Sequence, residues 1–160
     1  MYFPIAAGNN ATYLRMSEMN FGGDGTNGLK WMALSSCSSL YRANGSTMQN
    51  QKIYPYNPGL HLLLGVDTDS FTDPLLGQDW ADFMLGDPTA DPPRAPMKIR
   101  DAWYAAARKT YKDSNQPYSA TPIKYIVAGD SACFNDYLQT QTNTVRSGTW
   151  ITDPATQVYP

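Results

Sequence analysis

The chain has 160 residues, of which 42% are hydrophobic and 16% are charged, and its formal net charge is −2. A chain of this length forms one domain and buries roughly 70% of the surface that it exposes when unfolded, so it can hold a hydrophobic core. The weak charge, with no basic run among aromatic residues, excludes the electrostatic pattern of a nucleic-acid-binding protein. No stretch reaches the ~20 consecutive apolar residues that span a membrane.

The composition is typical of a protein outside the cytoplasm, because charged residues are few and polar uncharged residues are abundant. The start of the chain, Met1 to Gly8, lacks the basic beginning and the long apolar middle of a signal peptide. We therefore expect a secreted or cell-envelope protein whose signal lies outside this sequence.

Three apolar runs predict buried strands, at residues 29–35, 60–66 and 123–128. Each run is followed by small or acidic residues rather than by a hairpin turn, and helical patterns lie between the runs. This alternation is typical of parallel strands in an α/β domain. A further edge strand or hairpin is expected at residues 148–152.

Two helices are predicted between the second and third runs. The shorter covers residues 78–85 and ends at Gly86, a favourable C-cap residue. The longer covers residues 97–112, where apolar residues recur at helical spacing. The proline-rich residues 87–96 between them predict an exposed loop. The expected fold is one three-layer α/β domain over residues 1–160, with a mainly parallel sheet of about four to six strands and helices on both faces.

Residues that could take part in catalysis or binding follow the predicted strands. Ligands of parallel α/β sheets bind beyond the carboxyl ends of the strands. Cys37 ends the first run inside a cluster of serines, where an exposed thiol is suited to act as a nucleophile. The backbone N–H groups of Ser36 and Ser38 would then stabilise an oxyanion. The alternative is that Cys37 is a small hydrophobic residue of the core. The residues expected at this edge are Cys37, Asp67, Asp69, Asp130 and Ser131.

Four segments in a fixed order carry a resemblance to a known group of proteins. They are residues 29–40, 59–65, 80–86 and 102–107, to which Asn135 and Asp136 add weakly. In pattern and order they resemble an uncharacterised bacterial domain family that is similar to the caspase, gingipain and CHAT cysteine peptidases. In those peptidases a strand ends at the catalytic cysteine, the next strand precedes a substrate-pocket loop, and two helices follow. The resemblance implies a caspase-like sheet with Cys37 as the nucleophile.

The resemblance also implies a catalytic histidine, in a His-Gly motif after the strand that precedes the cysteine strand. The chain contains one histidine, His61, and it follows Cys37 in the sequence. Residues 5–12, where the motif belongs, contain none. Two explanations stay open: a preceding N-terminal strand or a second chain supplies the histidine, or the domain is a pseudoenzyme that has lost its base.

His61 is expected to be structural. It stands at the amino end of its predicted strand, whereas Cys37 stands at the carboxyl end of its own. In parallel strands of this length the two side chains are roughly 15 to 20 Å apart. A general base needs hydrogen-bond reach, directly or through one water.

The acidic residues Asp67, Asp69 and Asp73 follow the second predicted strand. The resemblance to arginine- and lysine-specific peptidases implies that their carboxylates line a pocket for a basic substrate side chain. One alternative is a calcium site, although Thr72 and Gln78 stand where an EF-hand loop has Gly and Glu. The other is a solvated loop without a ligand.

A rival nucleophile is Ser131, because Gly129-Asp-Ser131 after a strand resembles the nucleophile block of the SGNH esterases. No Asp-x-x-His follows it in the sequence. Cys37 and Cys133 permit one disulfide or two free thiols. With a single histidine they leave no four-ligand Cys/His zinc site, and no metal ligands are assigned.

Three functions therefore stand as hypotheses. The first is a caspase- or gingipain-like cysteine peptidase, a hydrolase whose partner is a peptide or protein substrate cleaved after basic residues. The second is a non-catalytic extracytoplasmic binding or structural module on the same scaffold. The third is an esterase that uses Ser131. An open cleft at Cys37 favours the first, whereas burial of Cys37 or a disulfide to Cys133 opposes it.

Overall fold

The computed structural model describes part of the chain, and all structural statements below concern that part. The described residues are 2–4, 13–15, 28–43, 46–47, 59–69, 74–113, 123–141, 150–152 and 156–158. The strands are β1 (Tyr2–Pro4), β2 (Tyr13–Arg15), β3 (Trp31–Ala33), β4 (Arg42–Ala43), β5 (Ser46–Thr47), β6 (Leu62–Val66), β7 (Ile123–Asp130), β8 (Trp150–Thr152) and β9 (Thr156–Val158). The helices are α1 (Leu76–Leu85), α2 (Ile99–Asp113) and a 3-10 helix (Ser131–Asn135).

The main sheet has the order β3-β6-β7-β8, and β9 also pairs with β7. β3 and β6 are parallel, with Trp31 opposite Leu62 and Ala33 opposite Leu64. β7 runs antiparallel to β6, and its pairings with β8 and β9 are antiparallel as well. β1 with β2 and β4 with β5 form two separate antiparallel pairs.

The α/β fold class is confirmed, but the prediction of a mainly parallel sheet is wrong, because the described sheet is mixed and contains one parallel pair. The physical reason lies in β7. A central strand that is buried on both faces reads as a continuous apolar run whichever way it points. The run at residues 123–128 therefore predicts the existence of a strand but carries no information about its direction.

The hydrophobic core lies between the sheet and the two helices. On β6 the alternate residues Leu62, Leu64 and Val66 face α1 and α2 and belong to the same buried cluster as Trp103 of α2. The indole of Trp103 meets the rings of Trp80 and Tyr125 edge-on, with centroids 5.7 Å away in each case. Such edge-to-face contacts add about 0.5–1.5 kcal/mol to the area that the rings bury.

The opposite face of β6 is buried as well. A Cβ at Gly65 would stand 2.6 Å from Leu40 Cγ and 2.7 Å from Ser39 Oγ, so the turn after β3 lies directly on this strand. Both described helices pack on the other face, against Leu62, Leu64 and Val66.

The two predicted helices are confirmed to within about two residues at each end, and helix assignments differ by that much in general. α1 ends as expected at Gly86, whose φ of 72° suits glycine. Lys109 Nζ donates to both carboxylate oxygens of the largely buried Asp79, at 2.8 and 3.0 Å, and so links α2 to α1.

The loop between the helices and the strand near the end of the chain are also confirmed. In the loop, Asp87 and Arg94 exchange backbone hydrogen bonds of 2.7 and 2.8 Å, which closes the proline-rich segment into a surface loop. Near the end of the chain, Ile151 of β8 lies opposite Gly129 of β7. Among the helices that the structure describes, none has the length and apolar character needed to cross a bilayer.

Candidate functional site

The thiol of Cys37 lies on the surface, in the turn that follows β3. Because β3 and β6 are parallel, their carboxyl ends meet at one edge of the sheet. We call the turn Ser36–Leu40 together with Asp67–Asp69 the carboxyl edge. Neither Cys37 nor Cys133 is part of a disulfide, so the two cysteines are not joined to each other.

The turn of the carboxyl edge is held firmly against β6. Leu40 N–H donates to Val66 O at 3.0 Å. The buried hydroxyl of Ser39 donates to Leu34 O at 2.9 Å and accepts a bond from Val66 N–H at 3.0 Å. Ser39 therefore joins the ends of both parallel strands through one oxygen, and it fixes the backbone on which Cys37 stands.

The two predicted oxyanion donors have different surroundings. Ser38 N–H donates to Thr68 O at 2.8 Å, so in this conformation it is directed at the neighbouring strand end. Ser38 has a positive φ of 50°, which is uncommon for a residue other than glycine. Ser36 is exposed, and its carbonyl accepts a long bond of 3.3 Å from Ser39 N–H.

The acidic residues predicted beside the nucleophile also lie in different environments. Asp69 is exposed and accepts a bond of 3.3 Å from Ser38 Oγ, which brings its carboxylate next to the Cys37 turn. Asp67 is only 8% exposed, and its N–H donates to Lys124 O at 2.7 Å. Asp73 lies outside the described residues. Asp69 is thus the predicted pocket residue whose carboxylate contacts the turn that carries Cys37.

Asp130 and Ser131 lie at the opposite edge, where they were not expected. β7 is antiparallel to β6, with Gly129 opposite Leu62, so the end of β7 lies beside the start of β6. Ser131 begins the 3-10 helix and is exposed, and its hydroxyl makes no hydrogen bond to any described residue. We call this region, which comprises His61 before β6 and residues 130–136 at the end of β7, the amino edge.

His61 is buried at the amino edge and is paired with Asp136. Its Nδ1 lies 2.7 Å from Asp136 Oδ2, and Trp31 Nε1 donates to the same oxygen at 3.0 Å. His61 is 3% exposed and Asp136 is fully buried. An ionised carboxylate can only accept, so with Asp136 ionised Nδ1 is the ring nitrogen that carries the proton in this pair.

The backbone holds His61 tightly in this position. Its N–H donates to Lys30 O at 2.7 Å. A Cβ at Gly129 would overlap the carbonyl oxygen of His61, so glycine is what allows β7 to approach this closely. The prediction that His61 stands at the opposite strand end from Cys37 agrees with the register of β3 and β6.

Cys133 lies next to this pair. Its thiol, an imidazole nitrogen of His61 and a carboxylate oxygen of Asp136 all lie within 4.8 Å of one another, and all three residues are buried. No function was predicted for Cys133, and Asp136 added only weakly to the resemblance. The available signal was Cys-x-x-Asp five residues after an apolar run, but it points to His61 only once the direction of β7 is known.

A model of one protein family matches residues 2–153 of the chain. The chain belongs to the DUF6345 family. The description of that family is a domain of unknown function. The comparison with curated proteins and the comparison with solved structures found no match.

Membership in DUF6345 agrees with the expectation of an uncharacterised domain family. The family description says nothing about peptidases, so the similarity to caspases and gingipains rests on the sequence segments alone.

Proposed function

We propose that this DUF6345 domain arranges its site residues as a caspase-like cysteine peptidase does. In this proposal the chain by itself binds a peptide at the carboxyl edge without cleaving it. In this proposal Cys37 occupies the nucleophile position and Asp69 attracts a basic side chain of the peptide. The observation that carries it is the division between the two edges: Cys37 is exposed at one, and the only histidine of the chain is buried at the other.

The order of elements supports the caspase-like part of the proposal. β3 leads to Cys37, the next strand of the main sheet, β6, is its parallel neighbour, and α1 and α2 follow. This is the order that the resemblance implies. A three-layer arrangement with helices on both faces belongs to the same proposal.

The position of His61 supports the non-catalytic part. A cysteine peptidase needs a base within hydrogen-bond reach of its thiol. In the parallel register, His61 aligns with Lys30, and Cys37 lies seven residues further along the chain. Seven residues at a strand rise of about 3.3 Å span at most roughly 23 Å, and the turn that begins after Ser35 shortens this to roughly 15 to 20 Å.

Charge at the carboxyl edge supports a basic peptide as the partner. Asp69 is exposed and close to the turn of Cys37, and Ser38 Oγ orients its carboxylate. An exposed carboxylate attracts a guanidinium or ammonium group weakly, by about 0.2–1 kcal/mol. Asp69 would therefore contribute selectivity for charge rather than high affinity.

Binding of labelled peptides tests this proposal. We expect a fluorescent peptide with a central arginine to bind more tightly than the same peptide with glutamate, as measured by anisotropy. Asp69→Asn should weaken binding of the arginine peptide about two- to fivefold, in line with an exposed ion pair. Asp91→Asn removes an exposed carboxylate from the loop between α1 and α2 and serves as the matched control. Equal binding of both peptides, or equal effects of both substitutions, would contradict the proposal.

An active peptidase is the second candidate, and the exposure of Cys37 favours it. It requires an imidazole from outside this chain. A peptidyl-arginine acyloxymethyl ketone distinguishes the candidates, since an active site attacks it and a binding module does not. Covalent labelling of wild-type protein that is lost in Cys37→Ala and kept in Cys133→Ala would establish the peptidase. Absence of labelling, together with binding of the arginine peptide, supports the non-catalytic module.

A further inference from the structure

Three buried side chains at the amino edge could together bind a metal ion. We infer that Cys133, His61 and Asp136 form a site for a zinc-class divalent cation, and we call these residues the amino-edge cluster. Their candidate ligand atoms lie within 4.8 Å of one another. The exposed fractions are 1% for Cys133, 3% for His61 and 0% for Asp136. The site lies across the sheet from Cys37 and is independent of the proposed peptide-binding function.

Local structure explains why two of the ligands are adjacent. Cys133 belongs to the 3-10 helix, and Asp136 N–H donates to Cys133 O at 3.0 Å, which continues the i to i+3 pattern by one residue. Residues three apart eclipse each other in a 3-10 helix, so both side chains project in the same direction. Asp136 O also accepts a bond of 2.9 Å from Ile99 N–H at the start of α2. The pair is therefore anchored to two helices.

The third ligand comes from a different part of the sheet. His61 precedes β6, and the antiparallel pairing of β6 with β7 brings it to the end of β7 and the 3-10 helix. Trp31 Nε1 donates to Asp136 Oδ2 at 3.0 Å and orients the carboxylate. Metal ligands are generally held by such hydrogen bonds from neighbouring groups that do not touch the metal.

The donor set and its charge suit zinc. A thiolate, an imidazole and a carboxylate are all regular zinc ligands, whereas calcium and magnesium bind oxygen almost exclusively. Binding of Zn²⁺ would release the thiol proton of Cys133 to solvent. The imidazole proton of His61 would move from Nδ1 to Nε2, so that Nδ1 and the Asp136 carboxylate exchange their hydrogen bond for bonds to the ion. The ion, one thiolate, one carboxylate and a neutral imidazole then sum to zero charge, which a buried site tolerates much better than a net charge.

The three ligand atoms need small shifts to reach tetrahedral zinc geometry. Zinc bonds of about 2.3 Å to sulfur and about 2.0–2.2 Å to nitrogen or oxygen place tetrahedral ligand atoms roughly 3.3 to 3.6 Å apart. Ligand atoms that now lie as far as 4.8 Å apart would draw together by up to about 1.5 Å, whereas His61 Nδ1 and Asp136 Oδ2, now 2.7 Å apart, would separate by about 0.6 Å. Three protein ligands leave the fourth tetrahedral position for water or a further ligand.

Cobalt(II) titration tests the site directly. The protein should carry Cys37→Ser, because this removes the exposed thiol at the opposite edge. We expect one equivalent of Co²⁺ to produce a thiolate-to-cobalt charge-transfer band in the near ultraviolet together with visible bands of tetrahedral intensity. Addition of one equivalent of Zn²⁺ should abolish these bands, because zinc occupies the same site and has no d–d transitions.

Two further variants assign the ligands. Cys133→Ser in the same background should abolish the charge-transfer band. Trp31→Phe keeps an aromatic ring but removes the donor to Asp136, and it should weaken Co²⁺ binding roughly 10- to 100-fold. If either variant fails to fold, the titration of the Cys37→Ser protein decides by itself. No band at one equivalent, a band that survives Cys133→Ser, or unchanged affinity in a folded Trp31→Phe protein would overturn the site.

Discussion

The two edges of the main sheet hold chemically similar residues in opposite environments. The carboxyl edge presents the thiol of Cys37 to solvent, with the exposed carboxylate of Asp69 beside its turn. The amino edge buries the thiol of Cys133 together with His61 and Asp136. The exposed thiol is accessible but far from the imidazole, whereas the buried thiol lies near the imidazole but is shielded from solvent. Residue types alone therefore do not identify a reactive site, because accessibility and a nearby base have to coincide.

The largest difference in stability between the edges should come from their carboxylates. Asp136→Ala removes the acceptor for both Trp31 and His61 in a buried position. We expect the free energy of unfolding to fall by about 2–4 kcal/mol, because two donors lose their acceptor and a buried donor without a partner costs roughly 1–3 kcal/mol. Urea denaturation followed by tryptophan fluorescence measures it.

Asp69→Ala at the carboxyl edge is the matched control and should change the free energy of unfolding by less than about 0.5 kcal/mol. A similar loss for both variants would show that the amino edge is not the structural centre that its hydrogen bonds indicate.

The close approach of β7 to His61 predicts the next largest effect. In Gly129→Ala the added methyl group would overlap His61 O and stand 2.8 Å from Leu62 Cδ2. We expect a loss of about 1–3 kcal/mol, as for other overpacked cores. Thermal unfolding monitored by circular dichroism provides the measurement.

Gly77→Ala serves as the comparison for Gly129→Ala, since a Cβ there meets nothing within 4 Å and the residue lies in α1. The same substitution should stabilise the protein, by up to about 1 kcal/mol, through helix propensity. A change in the free energy of unfolding of the same sign in both variants would contradict the steric overlap at Gly129.

The turn at the carboxyl edge depends on one hydroxyl. Ser39→Ala leaves the buried N–H of Val66 without its acceptor and removes the bond to Leu34 O. This should cost about 1–3 kcal/mol. Ser38→Ala removes only the exposed bond to Asp69 and should cost less than about 0.5 kcal/mol. Equilibrium unfolding of both variants decides whether the turn is held from its buried side.

The chemical reactivity of the two thiols can be compared without any substitution. A thiol-reactive dye should modify Cys37 rapidly under native conditions, because its side chain is exposed. Cys133 should react at least roughly 100-fold more slowly than Cys37, because its sulfur becomes accessible only when the structure opens. Peptide mapping by mass spectrometry after timed labelling assigns each thiol, and equal rates would contradict the described burial.

Several parts of the fold follow from local pattern. The apolar run before Cys37, the strand Leu62–Val66 and the helix that ends at Gly86 were predicted close to their observed positions. Each is specified by residues that are neighbours in sequence: a continuous apolar run, or a helical stripe that ends at glycine. The position of Cys37 beyond a strand end is of the same kind.

The amino-edge cluster could not be predicted in this way. His61 and Asp136 are 75 residues apart in the sequence and meet through a hydrogen bond of 2.7 Å. Their contact depends on the direction of β7, which the buried apolar run does not encode locally. The expectation that Asp130 and Ser131 share an edge with Cys37 was wrong for the same reason.

The sequence by itself determined the α/β class, the main strands and helices, and the position of Cys37 beyond a strand end, because hydrophobic periodicity and capping residues act over short distances. Only the tertiary structure decided which strand ends meet. Antiparallel pairing of β6 with β7 brings Cys133 and Asp136 to the single histidine and leaves Cys37 at the other end of the sheet. Long-range pairing is set by the packing of whole faces in the core, and no short motif in this chain records it.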